Sequence, residues 1–90
     1  MNIKYQEIEN HLSSLLKALE QIFSSSEIAE VHEFIDYGEY GCALDTVMDI
    51  ITDENKIINN YVLTKIINIY IIMDLDFDIA RNKLSKYIIE

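Results

Sequence analysis

The sequence has no proline, only two glycines (Gly38 and Gly41) and a single cysteine, Cys42. So few turn-forming residues argue against a β-sandwich or barrel, which needs a turn every few residues. One cysteine cannot close an internal disulfide and fits a reducing compartment. No apolar run approaches the roughly 18–20 residues of a membrane-spanning helix. The opening stretch, residues 1–7, lacks the apolar centre of a secretory signal, so a cytoplasmic chain is expected. Basic residues are also scarce: 7 Lys plus Arg face 16 Asp plus Glu, for a formal net charge of −9. That balance argues against direct binding to nucleic acid or to an anionic membrane, both of which need clustered cations.

What is present is a chain of 90 residues, half of them apolar and about a quarter charged. That composition belongs to one folded domain with a single core, spanning the whole sequence. Helical spacing dominates. Ile8, Leu12, Leu15, Leu16, Leu19, Ile22 and Phe23 recur at three- and four-residue steps and predict a long first helix, ended by Ser24-Ser25-Ser26. Ser24 and Glu27 have capping-box spacing, with Ser25 or Ser26 an equally good cap, and the serines open a second helix with Ile28, Val31 and Ile35 inward and an end near Tyr37. Gly38 supplies the left-handed residue that a helix end often requires. A third helix is predicted from about Tyr40 to Thr52, with Tyr40, Ala43, Leu44, Val47 and Ile51 on one stripe. Residues 53–56 form the one clearly polar connector.

The isoleucine-rich stretch from Val62 to Met73 has β-branched character but exceeds a usual strand. With no second strand to pair with, it reads as a central helix buried on most sides, Lys65 and Asn68 at its exposed edge. A last helix is predicted from about Asp78 to Ile89, with Ile79, Ala80, Leu84, Tyr87 and Ile88 apolar. The expected fold is all-α: a compact single-domain bundle of five short helices.

Charge is distributed unevenly. Residues 18–55 hold ten acids and no Lys or Arg, whereas residues 1–17 are neutral and residues 56–90 carry +1. Asp45, Asp49 and Asp53 repeat at i, i+4, i+8, about 180° from the apolar stripe of their helix. Glu30, Glu33 and Tyr37 share a face of the second helix. Like-charge pairs at this spacing cost a helix roughly 0.2–0.5 kcal/mol each. A solvated face is the ordinary explanation for such runs. The missing cations point instead to a docking surface for a basic partner, where complementary charge speeds encounter and rejects wrong partners. Tyr37 and Tyr40 flank Gly38 beside these acids. Tyr37 is the better contact candidate, and Tyr40 also has core spacing.

Other constellations carry less. Asp74, Asp76 and Asp78 lack the Gly and Glu that an EF-hand loop needs at its sixth and twelfth positions, and helix capping accounts for them. His11, His32 and Cys42 show no metal-ligand spacing, and His32 can pair with Asp36 four residues on. No phosphate-binding glycine loop is present. The reading is of a chain that is no enzyme and takes no cofactor or metal.

The stretch Glu33-Phe34-Ile35-Asp36-Tyr37-Gly38-Glu39-Tyr40-Gly41-Cys42-Ala43-Leu44-Asp45 resembles the signature of MafI-type immunity proteins, small helical proteins that neutralise polymorphic and contact-dependent inhibition toxins. The shared residues are Glu33, Phe34, Ile35, Gly38, Glu39, Tyr40, Gly41, Ala43, Leu44 and Asp45. The resemblance covers residues 1–54 and fades beyond them. It implies an inhibitor of a cognate toxin's C-terminal domain, a nuclease, with an EndoU-like ribonuclease as one kind such families oppose.

A nuclease must attract a polyanion, so its cleft is basic. The expected toxin-binding surface therefore comprises Glu30, Glu33, Asp36, Tyr37, Glu39, Tyr40, Asp45 and Asp49. Gly41 is expected to permit close helix approach. The alternative is an acidic helical adaptor, or a self-associating module, serving a non-nuclease partner. Both a monomer and a weak homodimer through the isoleucine-rich helix stay open.

Overall fold

Leu12, Leu15, Leu19, Leu44, Val47, Ile51, Ile66 and Ile69 are sealed from solvent in one core to which every helix contributes. The computed structural model describes residues 3–89. Its helices are α1 (Ile3–Leu19), α2 (Ser25–Asp36), α3 (Tyr40–Asp53), α4 (Asn60–Ile72) and α5 (Phe77–Leu84). The all-α single-domain bundle is as the sequence predicts. α1 and α3 lie between α2 on one side and α4 with α5 on the other. No helix among the described residues is long and apolar enough to cross a membrane.

The helix boundaries follow local chemistry. Of the three candidate serines, Ser24 is the cap, and it forms a capping box with Glu27: the Glu27 amide donates to Ser24 Oγ at 3.2 Å, and the Ser24 amide donates to Glu27 Oε1 at 2.8 Å. Asp76 caps α5, accepting from the Asp78 amide at 3.0 Å. Three helices end the same way. Gly38, Asn55 and Asp74 take left-handed φ angles of 72°, 51° and 58° after α2, α3 and α4. The amide one residue further on then reaches back to a carbonyl of the last turn: Glu39 to Phe34, Lys56 to Ile51, Leu75 to Tyr70. This is the Schellman arrangement, which satisfies carbonyls the helix leaves unpaired.

Six expectations are corrected. α1 stops at Leu19, before the serines, because residues 20–23 turn so that Phe23 packs into the core. The last helix stops at Leu84 rather than Ile89. A 3₁₀ turn, Ser85–Tyr87, leads into a two-residue strand β2 (Ile88–Ile89), which pairs in parallel with β1 (Ile58–Asn59), Ile88 opposite Ile58. The chain therefore does contain a strand pair, too short to leave a periodic signal. α4 is not buried on most sides: Val62, Ile66, Ile69 and Tyr70 face the core, while Tyr61 and Ile71 are exposed. Ile79, expected inward, is exposed as well. Finally, a Cβ added at Gly41 would meet nothing within 4 Å, so no helix approaches closely there.

Candidate functional site

The carboxylates of α2 and α3 point outward as their spacing predicts, and the packing of the two helices divides them into separate surfaces. Glu30 of α2 and Asp49 of α3 line a groove of about 360 Å³ between these helices, together with Glu27, Thr46, Ile50, Asp53 and Glu54. Although five carboxylates line it, no three acidic, His or Cys side chains among the described residues are arranged to hold a metal ion.

Two of the five are neutralised by cations that arrive from outside the acidic segment. Lys56 Nζ lies 2.9 Å from Glu27 Oε1, with both side chains about four-fifths buried, and also sits over the Phe23 ring at 5.9 Å. The Ser24 amide, followed by Lys56, holds the Glu27 carboxyl below the usual glutamate range, against the opposing effect of its partial burial. Lys83 of α5 reaches Asp49 Oδ1 at 3.3 Å. The expectation that nothing compensates this face is thus corrected at Glu27 and Asp49. Glu30, Asp53 and Glu54 keep no ion-pair partner among the described residues.

Glu33, Asp36 and Tyr37 belong to a second surface, the outer side of α2, with Ser25, Ile28, Ala29 and His32. Glu30 lines the groove towards α3, while Glu33 and Tyr37 line the outer side of α2. Asp36 Oδ2 accepts from His32 Nδ1 at 3.1 Å, the pairing their spacing predicts. Tyr37 is 75% exposed. It is the last residue before the left-handed turn at Gly38, which fixes it at the tip of the α2–α3 connection. Glu39 follows, exposed, at the N-cap position of α3 with no side-chain cap hydrogen bond.

Tyr40 and Asp45 are placed apart from both surfaces. Tyr40 is half-buried against the core, its ring 6.4 Å from that of Tyr5, and its hydroxyl donates to Glu9 Oε2 at 3.2 Å. Burial and then Glu9 push its phenol pKa up. It ties α3 to α1, which is the core role its spacing allowed. Asp45 is exposed but lies towards α4, near enough that its charge, after burial, helps raise the pKa of Tyr70.

The groove adds Glu27, Asp53 and Glu54 to the acids singled out from sequence. Asp53 was legible as the third member of the i, i+4, i+8 row. Glu27 was absorbed by its capping role, and Glu54 follows the helix, where periodicity says nothing. Comparison with protein-family models, with curated proteins and with solved structures finds no match.

Proposed function

We propose that this chain is an immunity protein: it binds and neutralises a cognate bacterial toxin, a nuclease, through the acidic surface of α2 and α3. The observation that carries this reading is the charge left on that surface after the fold has formed. Five carboxylates, Glu30, Glu33, Glu39, Asp53 and Glu54, have no ion-pair partner among the described residues. Natural sequences can relieve such repulsion with an interspersed Lys, and residues 18–55 hold none. A cationic partner relieves it in the complex instead.

The remaining features support the same reading. Tyr37, large and 75% exposed at the α2–α3 tip, offers contact area with little entropy to lose on binding. Gly41, four residues further on, lies on the exposed start of α3 with open space above it, where a partner's backbone can approach. The resemblance of residues 33–45 to MafI-type immunity proteins points to a toxin as that partner. A nuclease cleft is basic because its substrate is a polyanion, and an acidic surface seated in it or beside it excludes substrate without any chemistry of its own.

The test is co-purification and calorimetry with the product of the adjacent upstream gene, comparing wild type with the triple variant Glu30→Lys, Glu33→Lys, Asp53→Lys. All three residues are exposed and outside the ion pairs, so folding is retained. Binding by wild type that weakens as salt rises, with at least a tenfold loss in the variant, supports the proposal. Unchanged affinity and unchanged salt dependence in a folded variant overturn it.

A further inference from the structure

The two acidic surfaces differ in make. The groove between α2 and α3 is nearly all polar: Ile50 is the one apolar residue lining it, and Lys56 and Lys83 already hold Glu27 and Asp49. The outer side of α2 is mixed. Ile28, Ala29, His32, Glu33, Asp36 and Tyr37 fall at i, i+1, i+4, i+5, i+8 and i+9, which is one face of a helix, and they line a groove of about 490 Å³. Its apolar part is exposed Ala29, the open edge of half-buried Ile28, and Tyr37 at the end. Its charged part is Glu33, which has no ion-pair partner among the described residues, and Asp36, which meets only the His32 ring. No Lys or Arg lines this face. Every group on it comes from α2 and its C-cap, and neither α1 nor α3, the helices packed on α2, adds a titratable side chain.

We infer that the outer face of α2 is where the partner is gripped, by a cationic segment of the toxin that also carries an apolar side chain, and that His32 makes the grip sensitive to pH. The inference rests on the immunity reading and narrows it to one of the two surfaces. Charge complementarity selects the segment: Glu33 and Asp36 offer two carboxylates with no Lys or Arg beside them. The apolar strip selects its second property. An apolar centre with a charged rim is the anatomy of a contact surface, and a tyrosine at its edge is a common anchor. The α2–α3 groove lacks that centre, so its free acids steer the toxin inward without holding it. His32 stands between the two carboxylates in sequence, with Nδ1 3.1 Å from Asp36 Oδ2. A protonated ring forms an ion pair with Asp36 and cancels one of the charges the partner needs. A neutral ring leaves that charge in place. Imidazole is the side chain that changes state between neutral and mildly acidic pH, so binding in that range displaces a proton from His32 and weakens as pH falls.

The test measures dissociation rates of the full chain from the product of the adjacent upstream gene, because distant charge changes the association rate and contact residues change dissociation. The outer-face variant Glu33→Lys, Tyr37→Ala is compared with the groove variant Glu30→Lys, Asp53→Lys. All four positions are exposed or outside the ion pairs, and helical circular dichroism checks that both variants fold. The outer-face variant should dissociate about tenfold faster or more, and the groove variant within about threefold of wild type. The reverse order, or equal acceleration in both, overturns the inference and leaves the immunity reading standing. A wild type that does not bind at all overturns both. Affinity is then measured at about pH 7.5 and about pH 5.5 for wild type and for His32→Gln, which keeps a neutral side chain throughout. Wild type should bind about fivefold more weakly at the lower pH, relative to the change seen in His32→Gln, as expected for one added charge a few ångströms from the contact. Titration of the toxin's own groups is common to both proteins and cancels in that ratio. An equal pH response in the two proteins overturns the inference.

Discussion

Lys83 Nζ stands 3.3 Å from Asp49 Oδ1, so α5 lends a cation to the outward face of α3. Both side chains are substantially exposed, and such pairs are worth about 0.2–1 kcal/mol. Lys83→Ala should therefore cost well under 1 kcal/mol in urea denaturation. It should also raise the negative potential over the α2–α3 groove. The proposed toxin complex should then associate faster at low salt, measured by stopped flow, with the gain disappearing at high salt.

The capping box at the start of α2 makes a stability prediction free of any partner. Ser24→Ala removes the hydroxyl that accepts from the Glu27 amide and should lower unfolding free energy by about 1 kcal/mol, read as a shift in urea midpoint at unchanged slope. Ser24→Asp should restore most of it.

Glu27 gives a pH dependence. Its carboxyl is held below the usual range by the Ser24 amide first and Lys56 second. A pKa depressed by folding means that the contribution is complete above the unfolded glutamate value and is lost as pH falls through the lower folded one. Wild type should lose stability across that acidic window. Glu27→Gln should start from a lower thermal midpoint at neutral pH and show a shallower acid loss. Equal slopes in the two proteins would show that the pair contributes nothing.

The two glycines should respond in opposite directions. Gly38 sits at φ 72°, where any side chain is strained, so Gly38→Ala should cost about 1 kcal/mol. Gly41 is helical with open space around it, so Gly41→Ala should raise stability by roughly 0.5 kcal/mol. If Gly41 marks a partner's approach, that same substitution should weaken toxin binding while strengthening the fold.

The helices were legible because their signals are local. Ser24 with Glu27, Gly38 after Tyr37, and the i, i+4, i+8 row of aspartates are read within one or two turns of chain. What escaped depends on distant residues. Ile58 and Ile88 form a strand pair only because α4 and α5 bring them together, and two residues are too few for an alternating pattern. The same closure ends α5 at Leu84. The site was legible in sign and in helix, since every acid singled out there is exposed on α2, on α3 or in the turn between them. Its subdivision was not, because Lys83 meets Asp49 across 34 residues and Lys56 meets Glu27 across the α3 helix. Tyr40 satisfied both a core and a surface pattern, and only the Glu9 hydrogen bond decides between them.

Cys42 is exposed on the outer side of α3, one turn from Asp45 and two from Asp49, and its thiol has no disulfide partner. The protein thus comes with a built-in attachment point for a maleimide fluorophore, on the very helix whose engagement is in question. Emission from a dye there would report arrival of a toxin as it happens.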